Sequence, residues 1–310
     1  MTADDTIPRH MPHCVMGHMA PPSPLAPGLY ITATPIGNMG DITLRALTTL
    51  KSADCVICED TRVTRKLLSH YGILTPLLSY REHNAARVRP AILSRLDSGE
   101  AIALVTDAGT PLISDPGYKL IRSARQAGIP LWAVPGASAV TAALSISGIP
   151  GNHFLFAGFP PARGMARRNT LQQLMVMQTS IVLYEAPHRL TNLLGLLANI
   201  APERTVTVAR ELTKSHEELM SGSAESLYEQ FAARSTVKGE FVLVIAPPVP
   251  HEPDGCHDKD VDDILLQAFE RLSVGKAAAE VAQALGLSRR EVYARALALK
   301  NRQGQETDGQ

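Results

Sequence analysis

Ionisable side chains in this chain cluster directly behind apolar runs. Glu59-Asp-Thr-Arg62 follows the run 53–58, Glu185-Ala-Pro-His-Arg189 follows 180–184, and Arg210-Glu-Leu-Thr-Lys214 follows 205–209. A carboxylate or imidazole fixed at a strand end can take up a proton, and a guanidinium or ammonium beside it can hold an anion. Simple solvation explains a single charge at such a place equally well. A fourth stretch adds a different kind of signal. Leu104-Val-Thr-Asp-Ala-Gly-Thr-Pro-Leu-Ile-Ser-Asp-Pro-Gly117 follows the apolar run 101–105. Gly109 and Gly117 permit close backbone approach, and Pro111 and Pro116 stiffen the loop. Buried strand, polar glycine-bearing loop, then helix is the order in which open parallel sheets present ligands at their carboxyl edge. A bare turn needs fewer residues.

These residues need a frame, and the apolar pattern supplies one. Strands are expected at 29–33, 53–58, 77–80, 101–105 and 130–134. Helices are expected at 42–51, up to His70, at 85–97, at 118–127 and up to about Gly148. Asp41 suits the N-cap of the first helix, and Pro90 predicts a kink or a late start in the third. Strand and helix alternate about five times, which predicts an α/β domain with a mostly parallel sheet over 28–149. The unusual loops at 34, 59, 106 and 135 then share one edge and frame a cleft. After a hinge near 149–152, a second α/β domain spans 150–247. Its strands are expected at 153–159, 180–184, 205–209 and 240–245, and its helices at 171–177, 190–200 and 226–233, with a basic loop at 160–168. Its charged strand ends either face the first domain's loops or are solvated.

The flanks are simpler. Residues 1–27 form a leader without periodicity. A Pro-rich linker covers 248–260, short helices cover 261–302, and a tail covers 303–310. The helices have a helix–turn–helix cadence, with Gly286 as the turn, Ser288 as N-cap and Glu291 completing a capping box. Arg289, Arg290, Arg295, Lys300 and Arg302 make this part basic. Phosphate contact, a solvated face and oligomerisation all fit that pattern.

Composition removes several classes. Thirty basic and thirty acidic residues give formal net charge +0, so any polyanion footprint is local. There is neither a G-x-G-x-x-G nor a G-x-x-x-x-G-K-[ST] motif. Cys55 and Cys58 make one C-x-x-C, but a strand points them to opposite faces, so they read as core. No His/Cys/Asp spacing resembles a metal-ligand set, so no metal is expected. No apolar run reaches membrane-span length and no signal-type core follows the acidic start, which implies a cytoplasmic protein.

Six motifs, in order, resemble one family. They are 29–47 (Leu-Tyr-Ile-Thr-Ala-Thr-Pro-Ile-Gly-Asn-Met-Gly-Asp-Ile-Thr-Leu-Arg-Ala-Leu), Glu59-Asp-Thr-Arg62, 105–117, Val134-Pro-Gly-Ala-Ser-Ala139, Tyr184-Glu-Ala-Pro-His-Arg189 and Ala209-Arg-Glu-Leu-Thr-Lys214. The chain from Gly28 to Ala246 resembles the bacterial ribosomal RNA small subunit methyltransferase I family, within the tetrapyrrole methylases. The 262–300 region resembles that family's C-terminal helical domain. The resemblance implies two α/β domains, the first sheet mostly parallel and the second mixed, plus a small helical domain. It implies S-adenosylmethionine as cofactor and a homodimer. It implies 2′-O-methylation of a cytidine ribose in 16S ribosomal RNA of the small ribosomal subunit, near the decoding centre. By analogy, the cofactor touches Pro35 and Ile36, Thr110, Pro111, Leu112 and Ile113, Gly136, Ala137 and Ser138, Tyr184, Ala209 and Arg210, and Glu240 with Phe241.

Methyl transfer to a ribose hydroxyl calls for in-line positioning and for a base that takes the proton. Glu59, Asp60, Glu185 and His188 are the candidates, with Glu185 and His188 favoured as the reacting pair. Glu185→Gln is then expected to keep cofactor affinity and lose transfer. The competing reading pairs Glu185 with Arg189 across a helix start. Arg62, Lys66, Arg163, Arg167, Arg168, Arg189, Arg210, Lys214, Arg289 and Arg290 are candidates for gripping RNA. Two rivals remain open on sequence alone: a small-molecule (porphyrinoid) methylase of the same fold, and a ligand-sensing helix–turn–helix regulator.

Overall fold

A computed structural model of the chain describes residues 24–114, 117–248, 258–285 and 287–307. The expected leader falls almost wholly on 1–23, and most of the expected linker on 249–257; both lie outside the described residues. So do Asp115, Pro116 and the turn at Gly286. The chain divides into two compact units, at Pro248.

The first unit contains two five-stranded sheets. Strands β1 (Gly28–Thr32), β2 (Cys55–Cys58), β3 (Leu77–Ser79), β4 (Ala101–Leu104) and β5 (Leu131–Val134) form the first, in the order β3-β2-β4-β1-β5. Every pairing in it is parallel. Helices α1 (Leu44–Ser52), α2 (Thr61–His70), α3 (Glu82–Asp97), α4 (Tyr118–Gln126) and α5 (Ala139–Ile146) follow the strands in turn. β1, β2 and β4 are continuous apolar runs because both of their faces are covered. Tyr30, Val56 and Ala103 pack with Leu47, Leu50 and Leu68 on one face. Leu29, Ile57 and Ile102 pack with Ile92, Leu96 and Leu120 on the other. The period of two splits the two thiols as expected. Cys55 joins one layer and Cys58 the other, and burial pushes both thiols up from their ordinary value.

The second sheet takes β6 (Phe154–Gly158), β7 (Ser180–Glu185), β8 (Thr205–Arg210), β9 (Glu218–Ser223) and β10 (Phe241–Ile245) in the order β6-β7-β10-β8-β9. β6 and β7 are parallel, and the remaining pairs are antiparallel. Helices α6 (Gly164–Met175), α7 (Pro187–Ile200) and α8 (Ala224–Ala232) cover one face. α5 of the first half covers the other, where Val140 and Ala143 meet Val182, Val242 and Val244. This shared layer joins the two halves.

Four local expectations change. β9 was not anticipated, because Glu-Leu-Met-Ser-Gly-Ser is polar and carries a glycine. It is an edge strand and needs no apolar outer face. α6 begins at Gly164, not at 171, so most of the expected basic loop is helix. Arg167, Leu171, Leu174 and Met175 form its buried stripe, with an arginine in the first apolar slot. α3 begins at Glu82 and runs through Pro90. Thr43, not Asp41, caps α1, accepting from the Ala46 N–H at 3.1 Å.

The second unit holds α9 (Asp258–Phe269), α10 (Val274–Leu285) and α11 (Arg289–Thr307). Val261, Leu265, Ala278, Val281, Val292 and Ala296 form its core. α11 extends through part of the expected tail. Among the described residues, no helix is long and apolar enough to cross a membrane.

Candidate active site

The carboxyl ends of β1, β2, β4 and β5 open into a cleft of about 500 Å³. That size suits a small organic ligand. Ile36 comes from the β1 loop, Glu59 from the β2 loop, 106–110 with Ile113 and Ser114 from the β4 loop, and Ser138 and Ala139 from the β5 loop. The second sheet supplies the opposite wall. Phe159 follows β6, Tyr184 to Pro187 end β7, Leu212 follows β8, and 239–242 open β10.

Backbone contacts shape the first wall. Thr34 and Gly109 exchange N–H···O bonds of 2.9 and 3.1 Å. The Thr34 hydroxyl donates to the Thr106 carbonyl at 3.1 Å, and the Thr110 hydroxyl to that of Ala137 at 3.1 Å. Gly109 sits at φ +80°, and a Cβ there would lie 3.3 Å from Ile36 Cγ2. Leu112 and Ser114 adopt φ of 76° and 67° without being glycines. Strain of this kind gathers at ligand loops. Asp107 Oδ1 accepts the Asp60 N–H at 3.1 Å, which ties the β2 and β4 loops. Asp60 in turn caps α2 and binds the Arg62 guanidinium at 2.6 Å. The hydrogen bond from Arg62 holds the Asp60 carboxyl well below the usual carboxylate range.

Ion pairs shape the second wall. Glu185 Oε2 accepts from Arg167 Nη2 at 2.6 Å, and the two side chains are 0% and 1% exposed. Glu185 Oε1 lies 2.9 Å from Arg189 Nε and accepts the Ala186 N–H at 2.8 Å. Arg167 Nη1 also donates to the Pro161 carbonyl at 3.0 Å. Two expectations are corrected here. Arg167 does not grip RNA, because it is buried in the wall. Glu185 is not placed as the general base, because both of its oxygens are committed to guanidinium and amide donors. Its pairing with Arg189 follows the competing reading, with Arg167 as a further partner.

The two walls also meet at a corner. A Cβ on Gly37 would lie 2.5 Å from Lys214 Cγ and 2.9 Å from the Leu212 carbonyl. Beside it, the Asn38 N–H donates to the Thr213 hydroxyl at 3.0 Å. Lys214 Nζ reaches Glu211 and Glu240, each at 2.9 Å. Burial would raise the Glu211 carboxyl, but hydrogen bonds from Lys214 and the Glu240 N–H hold it below its ordinary value. Burial would lower Lys214, and bonds to Glu240 and Glu211 outweigh it and raise it. Glu211 and Thr213 both take positive φ, at 51° and 65°.

Of the residues proposed for the cofactor, Ile36, Thr110, Ile113, Ser138, Tyr184, Glu240 and Phe241 line the cleft. Pro35, Pro111 and Ala209 are buried behind it, Leu112 and Ala137 are half-buried, and Gly136 is exposed. Arg210 is turned to the β9 side, where it binds Glu218 at 3.3 Å. Glu59 lines the cleft, and His188 is exposed on the first turn of α7. Arg62, Lys66, Arg163 and Arg168 are exposed, and Arg189 is half-buried. Arg289 and Arg290 are exposed on α11. The sequence reading missed Asp107 as a cleft carboxylate and Phe159 as a cleft aromatic. For Phe159 a signal existed, since an aromatic stands between Gly158 and two prolines. Among the described residues, no group of three His, Cys, Asp or Glu is placed to hold a metal ion.

The tetrapyrrole (corrin/porphyrin) methylase family model matches residues 28–228, and that of the RsmI C-terminal HTH domain matches 257–300. Ribosomal RNA small subunit methyltransferase I of Erythrobacter litoralis is 48% identical over 92% of this chain and 100% of its own length. The protein of that name from Mesorhizobium japonicum is 43% identical over 93% and 97%. Among solved structures, uroporphyrin-III-C-methyltransferase from Thermus thermophilus aligns with a TM-score of 0.52 at 21% identity, over 70% of this chain and 93% of that one. A Thermus thermophilus enzyme of that kind complexed with S-adenosyl homocysteine gives 0.51 at 15% identity, over 71% and 97%. The expected fold class, two α/β halves with a parallel and a mixed sheet plus a helical C-terminal part, is borne out.

Proposed function

The chain belongs to the ribosomal RNA small subunit methyltransferase I family of tetrapyrrole methylases, and from that premise we propose that it methylates 16S ribosomal RNA. S-adenosylmethionine is the methyl donor. In the finer reading the acceptor is the ribose 2′-hydroxyl of a cytidine near the decoding centre. The chain then acts in the cytoplasm as a homodimer on the small ribosomal subunit.

The single observation that carries this reading is the two-walled cleft. In its strained, glycine-bearing first wall a Cβ on Gly109 would press on Ile36 Cγ2 at 3.3 Å, and Ile36 lines the cleft. Ile36, Tyr184, Leu212 and Val242 give it the apolar lining that suits an adenosyl group, and Asp107, Ala108 and Thr110 of the β4 loop line it beside them. Bound there, the donor supplies an electrophilic methyl on sulfonium sulfur, which a hydroxyl oxygen takes by in-line displacement. The chain's residues do the rest. The Thr34–Gly109 bridge stiffens the first wall and the Arg167–Glu185 pair the second, and the positioning that results supplies much of the rate. The acceptor hydroxyl must shed its proton to a group at the rim. Glu59 and Asp107 line the cleft and carry no ion pair among the described residues, and His188 stands exposed just beyond the end of β7. Exposed Arg62, Lys66, Arg163 and Arg168 supply phosphate contacts.

The test is tritiated methyl transfer to small subunits from a strain lacking this chain. Label is expected in a cytidine whose 3′ linkage resists alkali, as a 2′-O-methyl group requires. Label on a base would overturn the ribose assignment. Transfer to a uroporphyrinogen or corrinoid precursor but not to subunits would replace the whole reading.

A further inference from the structure

Phe159 is half out of the protein and yet packed against a second aromatic ring. Its ring lines the cleft and is 53% exposed. It ends an aromatic row, standing 5.4 Å from Tyr184, which is itself 4.9 Å from Phe156. Gly158 before it takes φ +63°, and a Cβ there would meet Ser114 Oγ at 3.2 Å. Pro160 and Pro161 after it fix their own φ. The Pro161 carbonyl is pinned by buried Arg167, which Glu185 holds in place. A fully buried ion pair thus stands behind the segment that presents an apolar ring to solvent. Leaving such a ring in water forgoes burial free energy, and a rigid mount removes the ordering cost of a later contact.

What surrounds the ring indicates the occupant. Ile113, also exposed, lines the same cleft. Exposed Arg163 and Arg168 lie in the segment that follows Phe159, and the N-terminus of α7 begins at Pro187 in the cleft wall. Helix N-termini and guanidiniums favour phosphates. An aromatic face flanked by cations is how proteins receive a base splayed from a single strand. We propose that Phe159 is the platform on which the base of the target nucleotide stacks, which brings its ribose over the cleft. This rests on the reading of the chain as an RNA methyltransferase. It makes Phe159 a positioning residue for the substrate and not part of the donor site.

The experiment compares Phe159→Ala, Phe159→Leu and Phe159→Trp, using small subunits as acceptor. Binding of S-adenosylhomocysteine is measured by calorimetry alongside. Phe159→Ala is expected to lower kcat/KM by roughly 5- to 150-fold, the span of one base–aromatic stack. Subunit affinity should weaken with it, while S-adenosylhomocysteine binds within about twofold of the unaltered chain. Phe159→Trp should restore activity, and Phe159→Leu should not. Three results overturn the inference: unchanged kinetics in Phe159→Ala, full rescue by leucine, or a selective loss of S-adenosylhomocysteine binding. The last would make the ring a donor wall. If the unaltered chain labels no subunit, the functional reading itself falls, and this inference falls with it.

Discussion

The two walls of the cleft reach the same rigidity by opposite means. The first is knit by backbone: the Thr34–Gly109 exchange, two threonine hydroxyls on carbonyls, and glycines where a Cβ would intrude. The second is knit by charge: Arg167–Glu185–Arg189, Arg210–Glu218–Arg234 and Glu211–Lys214–Glu240. Yet the face that the charged wall turns to the cleft includes Phe159, Tyr184 and Leu212. A cluster of ionisable residues behind a strand is therefore not by itself a reactive centre. Here much of the charge is spent as struts, and the cleft carboxylates without an ion pair among the described residues, Glu59 and Asp107, belong to the backbone-built wall.

The largest effect should come from removing a strut. Arg167→Met leaves the buried Glu185 carboxylate with half of its compensation, and breaking a buried pair costs about 3–5 kcal/mol. That is a large share of a typical domain's total. Glu185→Gln should destabilise in the same direction, because it strands the Arg167 guanidinium. The double variant Arg167→Met/Glu185→Leu should recover most of the loss, since well-packed apolar replacements of buried pairs are often tolerated. Urea midpoints read all three. If Glu185→Gln keeps its midpoint and loses only methyl transfer, the carboxylate is a base after all, and the distinction between the walls collapses.

A smaller effect tests the corner where the walls meet. Gly37→Ala places a methyl 2.5 Å from Lys214 Cγ and 2.9 Å from the Leu212 carbonyl, so one wall must shift. Overpacking of this kind costs about 1–3 kcal/mol. If the cost falls on closure, S-adenosylhomocysteine affinity drops by about tenfold, the equivalent of roughly 1.4 kcal/mol. Gly151→Ala is the control, because nothing lies within 4 Å of its added Cβ. Equal affinities in the two variants would show that the corner does not set the cleft.

These contrasts explain what could be read from the sequence. Buried parallel strands are unbroken apolar runs, so β1, β2 and β4 stood out. The loops that follow them announce themselves through Gly, Pro and Asp. The second wall was harder because its logic runs against residue type. Arg167 occupies the first slot of an apolar stripe on α6, and a guanidinium there reads as surface until Glu185 is seen across from it. Glu185 was noticed at its strand end, but spacing shows a carboxylate and not the two guanidiniums that hold it. β9 pairs at an edge where no apolar pattern is required, so Glu218–Ser223 left no strand signature. Phe159 read as the last residue of a strand, whereas β6 stops at Gly158, because its exposure depends on a left-handed glycine and a pinned proline carbonyl, which are tertiary facts.

The smallest effect separates the walls by pH. Hydrogen bonds from Lys214 and the Glu240 N–H outweigh burial and depress Glu211 below its ordinary value of 4.5. The Arg234 hydrogen bond depresses Glu218 in the same direction. A depressed carboxyl contributes stability that is present in full above its unfolded pKa and is lost as pH falls through the folded value. Lys214 is raised above 10.5, so its contribution is present below that value and lost as pH climbs through the folded one. Partly exposed pairs of this sort are worth about 0.2–1 kcal/mol each. Hydrogen exchange should therefore show the 210–218 connection and the start of β10 loosening first, below about pH 4.5 and again at strongly alkaline pH. The Thr34–Gly109 bridge contains no titrating group and should stay protected across both windows. Molar salt at pH 7 should loosen the same ionic corner slightly and leave the bridge alone, because screening acts on charges and not on amide pairs. If the bridge opened together with the corner, the walls would form one cooperative unit, and their different construction would have no energetic consequence.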